Sequence, residues 1–510
     1  MISNKLKAYN KLIRASNVYD VANVTPITKA NTLSRQLKNN IFLKREDLQP
    51  VFSFKVRGAY NKISKLKKNS TDRTVIAASA GNHAQGVAFS AKKLGLKSII
   101  VMPITTPLIK INAVKNLGGK VVFYGDNFDE AYDHAVSLAK KENYFFIHPY
   151  DDKEVISGQG TIGKEIIEQT DSKVEAVFVP VGGGGLLAGV GAYIKSEHPE
   201  IKVIGVEPDD AACLDLAIKN NKRLSLKEVG LFADGVAVKQ IGKLTFSLIR
   251  EWLDDVVTVS VDEMCAAVQD TFQETRTIPE PAGALALAGL KKYTKSKGLK
   301  NKNLIAINSG ANLNFDRLGH IVERVQLGEN KEVLLSVRIP EEKGSFRKFC
   351  KVLGKRMISE FNYRAEDSEE ATIFVACRFN DSKQRTKLLK HLRSKGYSPK
   401  DLSENEVAKL HVKHMVGGRA PETISSKGEY LFRVEFPERP GALVDFLDSL
   451  SDKWNITLFH YRNQGSAYGR VLVGFESQPK KYLQLTKYLE KTGFRFWDET
   501  DNLAYKSFLK

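Results

Sequence analysis

Ala176-Val177-Phe178-Val179-Pro180-Val181 runs straight into Gly182-Gly183-Gly184-Gly185 and then Leu186-Leu187-Ala188-Gly189. A short apolar run, a glycine turn and a helix-forming segment read as a buried strand, a loop and a helix. Consecutive glycines cost backbone entropy, but they let the chain approach an anion closely, and free N–H groups at a helix start can bond it. Phosphate binding is the natural reading, and these residues leave open whose phosphate it is. Gly183, Gly185 and Ala188 satisfy G-x-G-x-x-A, and the next strand ends at Glu207, where the ribose-binding acid of an NAD-dependent oxidoreductase belongs. The other answer is the phosphate of a different cofactor.

The same pattern continues on both sides of this stretch. Thr74–Ala78, Ser98–Met102, Lys120–Tyr124, Val203–Val206 and Leu304–Ile307 read as further buried strands. His83–Leu94, Leu108–Leu117, Phe128–Lys141, Gly158–Gln169 and Leu186–Ser196 have helical periodicity. Such alternation predicts an α/β domain with a mostly parallel sheet covered on both faces, and ligand loops at the carboxyl ends of its strands.

After Arg324 the pattern changes to a repeat. Glu332, Pro340, Gly344 and Phe349 match Glu429, Pro437, Gly441 and Phe446 at a constant offset. The match resumes, one residue displaced, at Phe361-Asn362-Tyr363-Arg364 and Phe459-His460-Tyr461-Arg462. Each copy reads as a small α+β module: strand, Pro/Gly loop, helix, strand, then further strand and helix. The expected division is a catalytic domain over 1–325, modules over 332–405 and 429–500, and a linker over 406–428.

The composition narrows the class. A chain of 510 residues with 42% hydrophobic and 27% charged residues is that of a globular protein with several domains. The formal charge of +19 is spread over scattered lysines, without zinc-finger spacing or an aromatic ribonucleoprotein signature, so no nucleic-acid partner is expected. Cys213, Cys265, Cys350 and Cys377 are far apart and form no CxxC pair, which argues against a disulfide framework or a zinc site. No apolar run reaches membrane-spanning length, so a cytoplasmic protein with no membrane partner is expected.

Three more stretches bear on the chemistry. In Val51-Phe52-Ser53-Phe54-Lys55-Val56-Arg57-Gly58 a lysine stands among aromatic and aliphatic residues. By itself it fits an ammonium that snorkels to water, and the other reading is a buried amine whose lowered pKa makes it a nucleophile for carbonyl groups. Ser79-Ala80-Gly81-Asn82-His83 turns from a strand into a helix and can hold a carboxylate, or simply cap that helix. Asn308-Ser309-Gly310-Ala311-Asn312 follows the last strand, and the Ser309 hydroxyl can meet a ring nitrogen without fully protonating it. Three such loops and an apolar lysine suit one phosphorylated, ring-bearing cofactor better than NAD.

Ser53–Ala59, Ala78–Gly86, Val181–Leu186, Glu280–Ala284 and Ser309–Asn312 together resemble the motifs of fold-type II pyridoxal-phosphate enzymes. The likeness is greatest to the long biosynthetic threonine dehydratases (threonine ammonia-lyases) with two ACT-like regulatory modules, and it covers nearly the whole chain. It implies a tryptophan synthase beta-like catalytic domain with parallel sheets, followed by two α+β modules. By this resemblance Lys55 carries pyridoxal phosphate and later takes the Cα proton, Phe54 lies against the ring, and Asn82 bonds its 3′-oxygen. Gly182, Gly183, Gly184, Gly185 and Leu186 cradle the phosphate, Ser309 meets the ring nitrogen, and Ser79, Ala80, Gly81 and Asn82 receive the substrate carboxylate. The implied reaction converts L-threonine, and also L-serine, to a 2-oxo acid and ammonia; from threonine this gives 2-oxobutanoate for isoleucine synthesis. The resemblance further implies a homotetramer inhibited by isoleucine and relieved by valine, with Tyr363, Tyr461 and Arg462 at the effector site. Ala80 stands where related serine racemases carry a second serine, which implies elimination without racemisation. Cys213 stands where those relatives place an acidic metal ligand after Glu207-Pro208, so no required divalent ion is expected.

Overall fold

The computed structural model describes residues 3–67, 74–170, 173–328, 332–365, 369–379, 383–405, 428–437, 442–449, 454–462 and 468–509, with isolated positions between 408 and 418. The chain divides into two compact units, Met1–Gly328 and Glu329–Lys510.

The first unit holds two sheets, as the family resemblance implied, where the strand pattern alone pointed to one. The larger has six strands in the spatial order Ile27–Lys29, Asn40–Arg45, Asn303–Asn308, Ala176–Pro180, Lys202–Pro208, Asp255–Val259. All its pairs are parallel except the first. The smaller has four parallel strands, Lys120–Phe123, Lys97–Met102, Thr74–Ala78 and Phe145–Phe146. Side chains alternate across a strand, and the central strands of both sheets are apolar on both faces. Val177, Val179, Val203, Ile305 and Ile307 enter one core, while Ala176, Phe178, Ile204, Val206, Leu304 and Ala306 enter another on the opposite face. The small sheet divides in the same way, Val75, Ala77 and Ile100 against Ile76, Ala78 and Val101.

Several helices begin where a side chain offers an acceptor to the free N–H groups of the first turn. Asn127 caps Phe128–Lys141, Asp152 caps Lys153–Gln169, and Ser260 with Glu263 forms a capping box on Val261–Thr275. The helix Lys55–Lys67, which carries the apolar lysine, is pinned from beneath by a buried ion cluster. Arg57 Nε and Nη2 each donate to Glu46 at 2.8 Å, Arg57 Nη1 donates to Glu165 at 2.5 Å, and Lys44 Nζ meets Glu165 at 2.6 Å. All four side chains are buried, so two of the chain's positive charges lie in the core, paired with two carboxylates.

The second unit is one antiparallel sheet of eight strands, in the order Lys400–Asp401, Glu332–Pro340, Glu370–Arg378, Met357–Arg364, Asn455–Arg462, Tyr468–Glu476, Glu429–Pro437, Arg495–Asp498. Each repeat forms a four-stranded half, and the halves join where Glu360–Arg364 pairs with Leu458–Arg462. Helices Ser345–Leu353, Lys383–Ser394, Ala442–Ser449 and Tyr482–Lys491 accompany the two halves. The proposed linker over 406–428 lies almost entirely outside the described residues.

Candidate active site

The carboxyl ends of strands from both sheets of the first unit face one cavity of about 260 Å³. From the smaller sheet it receives the turn after Thr74–Ala78, Pro103 and Pro149; from the larger, the glycine loop after Ala176–Pro180 and Ser309 after Asn303–Asn308. Phe54, Lys55, Ser79, Ala80, Gly81, Asn82, Gly182, Gly183, Gly184, Gly185, Leu186 and Ser309 all line it.

Lys55 reaches the cavity from the first residue of its helix. Its ammonium donates to the Pro149 carbonyl at 3.0 Å and lies 5.3 Å from the centre of the Phe54 ring. Desolvation lowers its pKa to about 8, against an opposing pull from Glu280. The segment before it is tied to the Ser309 loop: Phe54 N donates to Ser309 O at 3.2 Å and Ala311 N to Phe52 O at 2.9 Å, with Ser53 bridging Gly310. Phe52 there has a φ of 55°, a strained value for a bulky residue that these flanking bonds hold.

Asn82 begins the helix that follows the second turn, and its amide nitrogen donates to Glu280 at 2.5 Å. Asn312 donates to Asn82 Oδ1 at 2.7 Å, which fixes the orientation of the amide. In the turn itself Gly81 N donates to Ser79 Oγ at 3.2 Å. His83 is buried, its Nε2 2.8 Å from Ile147 O, and burial lowers its pKa to about 3, so it stays neutral. Ser309 is buried and its hydroxyl donates to Ala282 O at 3.2 Å.

Bare glycine is required in the loop between strand and helix. A Cβ on Gly183 would fall 2.3 Å from the Tyr150 ring, one on Gly185 2.9 Å from Tyr150 Cβ, and one on Gly182 2.9 Å from Val236 Cα. Gly184 has a φ of 88°, a left-handed value that side chains rarely adopt. An amine of lowered pKa, a side-chain-free loop at a helix start and a neutral hydroxyl around one cavity fit pyridoxal phosphate.

They do not fit the dinucleotide reading. Glu207, its proposed ribose acid, is buried and accepts from Leu214 N at 2.8 Å and Asp215 N at 2.9 Å, so it caps the next helix. Burial raises its pKa to about 8, an environment for a neutral carboxyl and not for a ribose ligand. Cys213, discussed above as a substitute for a metal ligand, donates to Gly182 O at 3.4 Å.

Glu280, Asn312 and Tyr150 are site residues that the sequence did not single out. Glu280 stood within a quoted motif, but that its carboxyl would be buried beside Asn82 follows from the meeting of two loops distant in sequence. Its pKa is raised to about 7, first by burial and then by Asp234.

The three residues assigned to effector binding lie in the other unit. Tyr363 and Tyr461 are both buried in its core, and the Tyr363 hydroxyl donates to Glu341 at 3.0 Å. Arg462 occupies the strand position opposite Glu360, and its side chain lies outside the described part.

Comparison with known proteins places this geometry. Residues 18–310 match the family of pyridoxal-phosphate dependent enzymes, and residues 323–412 and 422–509 match the C-terminal regulatory domain of threonine dehydratase. The chain is 48% identical over 504 residues to a biosynthetic L-threonine dehydratase of Burkholderia multivorans, covering 98% of this chain and 99% of that one. It is 49% identical over 502 residues to the Escherichia coli enzyme of the same name, covering 98% and 97%. The processed form of threonine deaminase isoform 2 from Solanum lycopersicum superposes with a TM-score of 0.62 at 49% identity, over 63% of this chain and 94% of that structure. With the NAD reading thereby overturned, this chain belongs to the pyridoxal-phosphate-dependent threonine dehydratases (threonine ammonia-lyases) of the biosynthetic type.

Proposed function

We propose that this threonine dehydratase converts L-threonine to 2-oxobutanoate and ammonia in the cavity between its two catalytic sheets, and accepts L-serine as well. The observation that carries the reading is the meeting of Lys55, Asn82, the Gly182–Leu186 loop and Ser309 around one cavity of about 260 Å³. Lys55, Phe54, Asn82 and Ser309 would hold the cofactor ring, and the backbone N–H groups of Gly182, Gly183, Gly184, Gly185 and Leu186 would take its phosphate. The bound cofactor acidifies the substrate Cα–H bond by drawing electrons from it.

The protein's own groups then direct the proton and the substrate. Lys55, whose pKa near 8 leaves a useful fraction of free amine at neutral pH, takes the Cα proton. N–H groups of the Ser79–Asn82 turn hold the carboxylate and so fix which bond faces Lys55. Ala80 offers no base on the opposite face, which favours elimination over racemisation. The Lys55 ammonium, once formed, is held by the Pro149 carbonyl and the field of Glu280.

The regulatory unit supports feedback control, and we assign isoleucine as inhibitor and valine as its antagonist, acting near Tyr363, Tyr461 and Arg462. We divide the chain into a catalytic domain over 1–325, modules over 332–405 and 429–500, and a linker over 406–428, assembled as a homotetramer. Among the described residues no helix is long and apolar enough to cross a membrane, in keeping with a cytoplasmic site of action.

The purified protein should absorb in the violet, lose the band with borohydride, and release 2-oxobutanoate from threonine. Lys55→Ala should lose both the band and turnover while keeping its circular dichroism. A Lys55→Ala variant that kept band and turnover would overturn the assignment.

A further inference from the structure

The glycine loop is held by a strap that matches no motif read in the sequence; Pro149 and Tyr150 of it line the cavity, while Asp151, Gly242 and Thr245 lie outside it. The strap starts at the turn His148–Asp151. His148 Nδ1 accepts from Asp151 N at 2.8 Å and from Tyr150 N at 3.2 Å, and burial keeps this imidazole neutral by lowering its pKa to about 4. The turn therefore has a fixed shape. Its Tyr150 ring occupies the space where a Gly183 side chain would stand. Its Asp151 carboxylate accepts from Lys243 N and Leu244 N at 2.8 Å and from Thr245 N at 3.1 Å, which anchors the helix Lys243–Ile249. That helix returns to the loop, where the Thr245 hydroxyl donates to Gly183 O at 2.8 Å and Gly242 N donates to the same oxygen at 3.2 Å.

The direction of these bonds matters more than their number. In a trans peptide the C=O and the following N–H point to opposite sides, and no peptide bond here is cis. Drawing the Gly183 carbonyl toward Thr245 therefore turns the Gly184 N–H the other way. The Cys213 thiol, donating to Gly182 O at 3.4 Å, does the same for the Gly183 N–H. Two successive N–H groups turned alike make an anion-binding concavity. Left-handed Gly184 could rotate its peptides readily, so without the anchor their aim would be lost.

The geometry points to Thr245 as a positioning residue for cofactor phosphate: its hydroxyl, set by the Asp151 cap, orients the Gly183–Gly184 peptide so that the loop presents N–H groups to the anion. This rests on the reading that the Gly182–Leu186 loop binds that phosphate. Thr245 is fully buried and does not touch the cavity, so it acts through the loop alone.

The test compares pyridoxal phosphate with pyridoxal, which lacks the phosphate, in equilibrium binding to the cofactor-free full chain followed by absorbance or fluorescence. Thr245→Val keeps the side-chain shape and removes the donor. It should raise the Kd for pyridoxal phosphate about tenfold, the size of one well-placed hydrogen bond, and leave that for pyridoxal within about twofold. Thr245→Ser should restore the selectivity. Asp151→Ala, which frees the helix start and leaves Thr245 in place, should shift binding in the same selective direction and serves if Thr245→Val does not fold. Equal weakening of both ligands, or of neither, would overturn the role of Thr245. Gly183→Ala separates this from the underlying reading. If that variant weakens both ligands alike, the phosphate loop itself is misassigned; if it is selective and Thr245→Val is not, only the strap fails.

Discussion

Asn82 donates its side-chain amide to Glu280 at 2.5 Å, joining two turns 198 residues apart in sequence. Asn312 closes the far side of the same amide at 2.7 Å, so Asn82 has one acceptor and one donor partner and a single favoured orientation. The carboxyl is buried, its pKa is raised to about 7, and its charge is felt at Lys55.

A first prediction follows for the lysine. A nearby carboxylate favours the charged ammonium, so removing it lowers the amine pKa. Glu280→Gln, which keeps an acceptor for Asn82, should move the Lys55 pKa below its value of about 8. In the cofactor-free full chain, amine labelling of Lys55 at pH 7 should then be severalfold faster, with the pH profile shifted to lower pH. An unmoved profile would show that Glu280 does not face the amine.

Ser309→Asp places a carboxylate where a ring nitrogen is proposed to lie and should raise that nitrogen's pKa. Stronger protonation favours delocalised charge over prompt loss of hydroxide, so turnover should fall by about tenfold or more, equivalent to ~1.4 kcal/mol in the barrier. A new long-wavelength absorbance should accompany it during turnover. Unchanged rates without new absorbance would place Ser309 elsewhere than opposite the nitrogen.

Glu207 offers a test in stability that is independent of catalysis. Its folded-state pKa is raised from 4.5 to about 8, chiefly by burial. The folded chain therefore holds this proton where the unfolded chain has released it, and stability falls as pH rises from about 4.5 through about 8. Below that range the contribution is fully present. Glu207→Gln cannot ionise, so its melting temperature relative to wild type should climb across that window, with a stability difference of a few kcal/mol at the top. Parallel pH profiles for the two proteins would contradict the raised pKa.

The effector assignment is best tested with substitutions that respect the core. Tyr461 is buried, and truncating a buried aromatic to alanine typically costs ~3–5 kcal/mol, which would confuse unfolding with desensitisation. Tyr461→Phe and Arg462→Ala should leave turnover without isoleucine near normal and raise the isoleucine concentration for half-inhibition about tenfold, within the usual range of coupling energies. Truncation after Leu327 should abolish inhibition. Point variants with wild-type sensitivity would move the effector site elsewhere in the repeats.

The amino-acid order alone determined the strand–helix alternation of the catalytic unit, the glycine loop, the apolar lysine and the two matching modules of the tail. These are local properties: apolar periodicity, glycine content and repeat spacing depend on neighbours in the chain. Even there the strand ends moved, since Val181 left its strand and Lys97 and Lys202 joined theirs. The strand pattern alone did not divide its strands between two sheets, because sheet membership depends on which strands pair; the family resemblance implied more than one, and the tertiary structure decided which strand belongs to which. It also decided that the two modules fuse edge to edge through Glu360–Arg364 and Leu458–Arg462. The partners of the functional groups were likewise hidden in the sequence. Glu280 beside Asn82, Thr245 on the Gly183 carbonyl, and Glu207 turned to a helix start instead of a ribose are contacts between segments distant along the chain. A carboxylate reads the same in sequence whether it is solvated, paired or capping; burial and the donors that reach it set its pKa and its role, and only the folded chain brings those together.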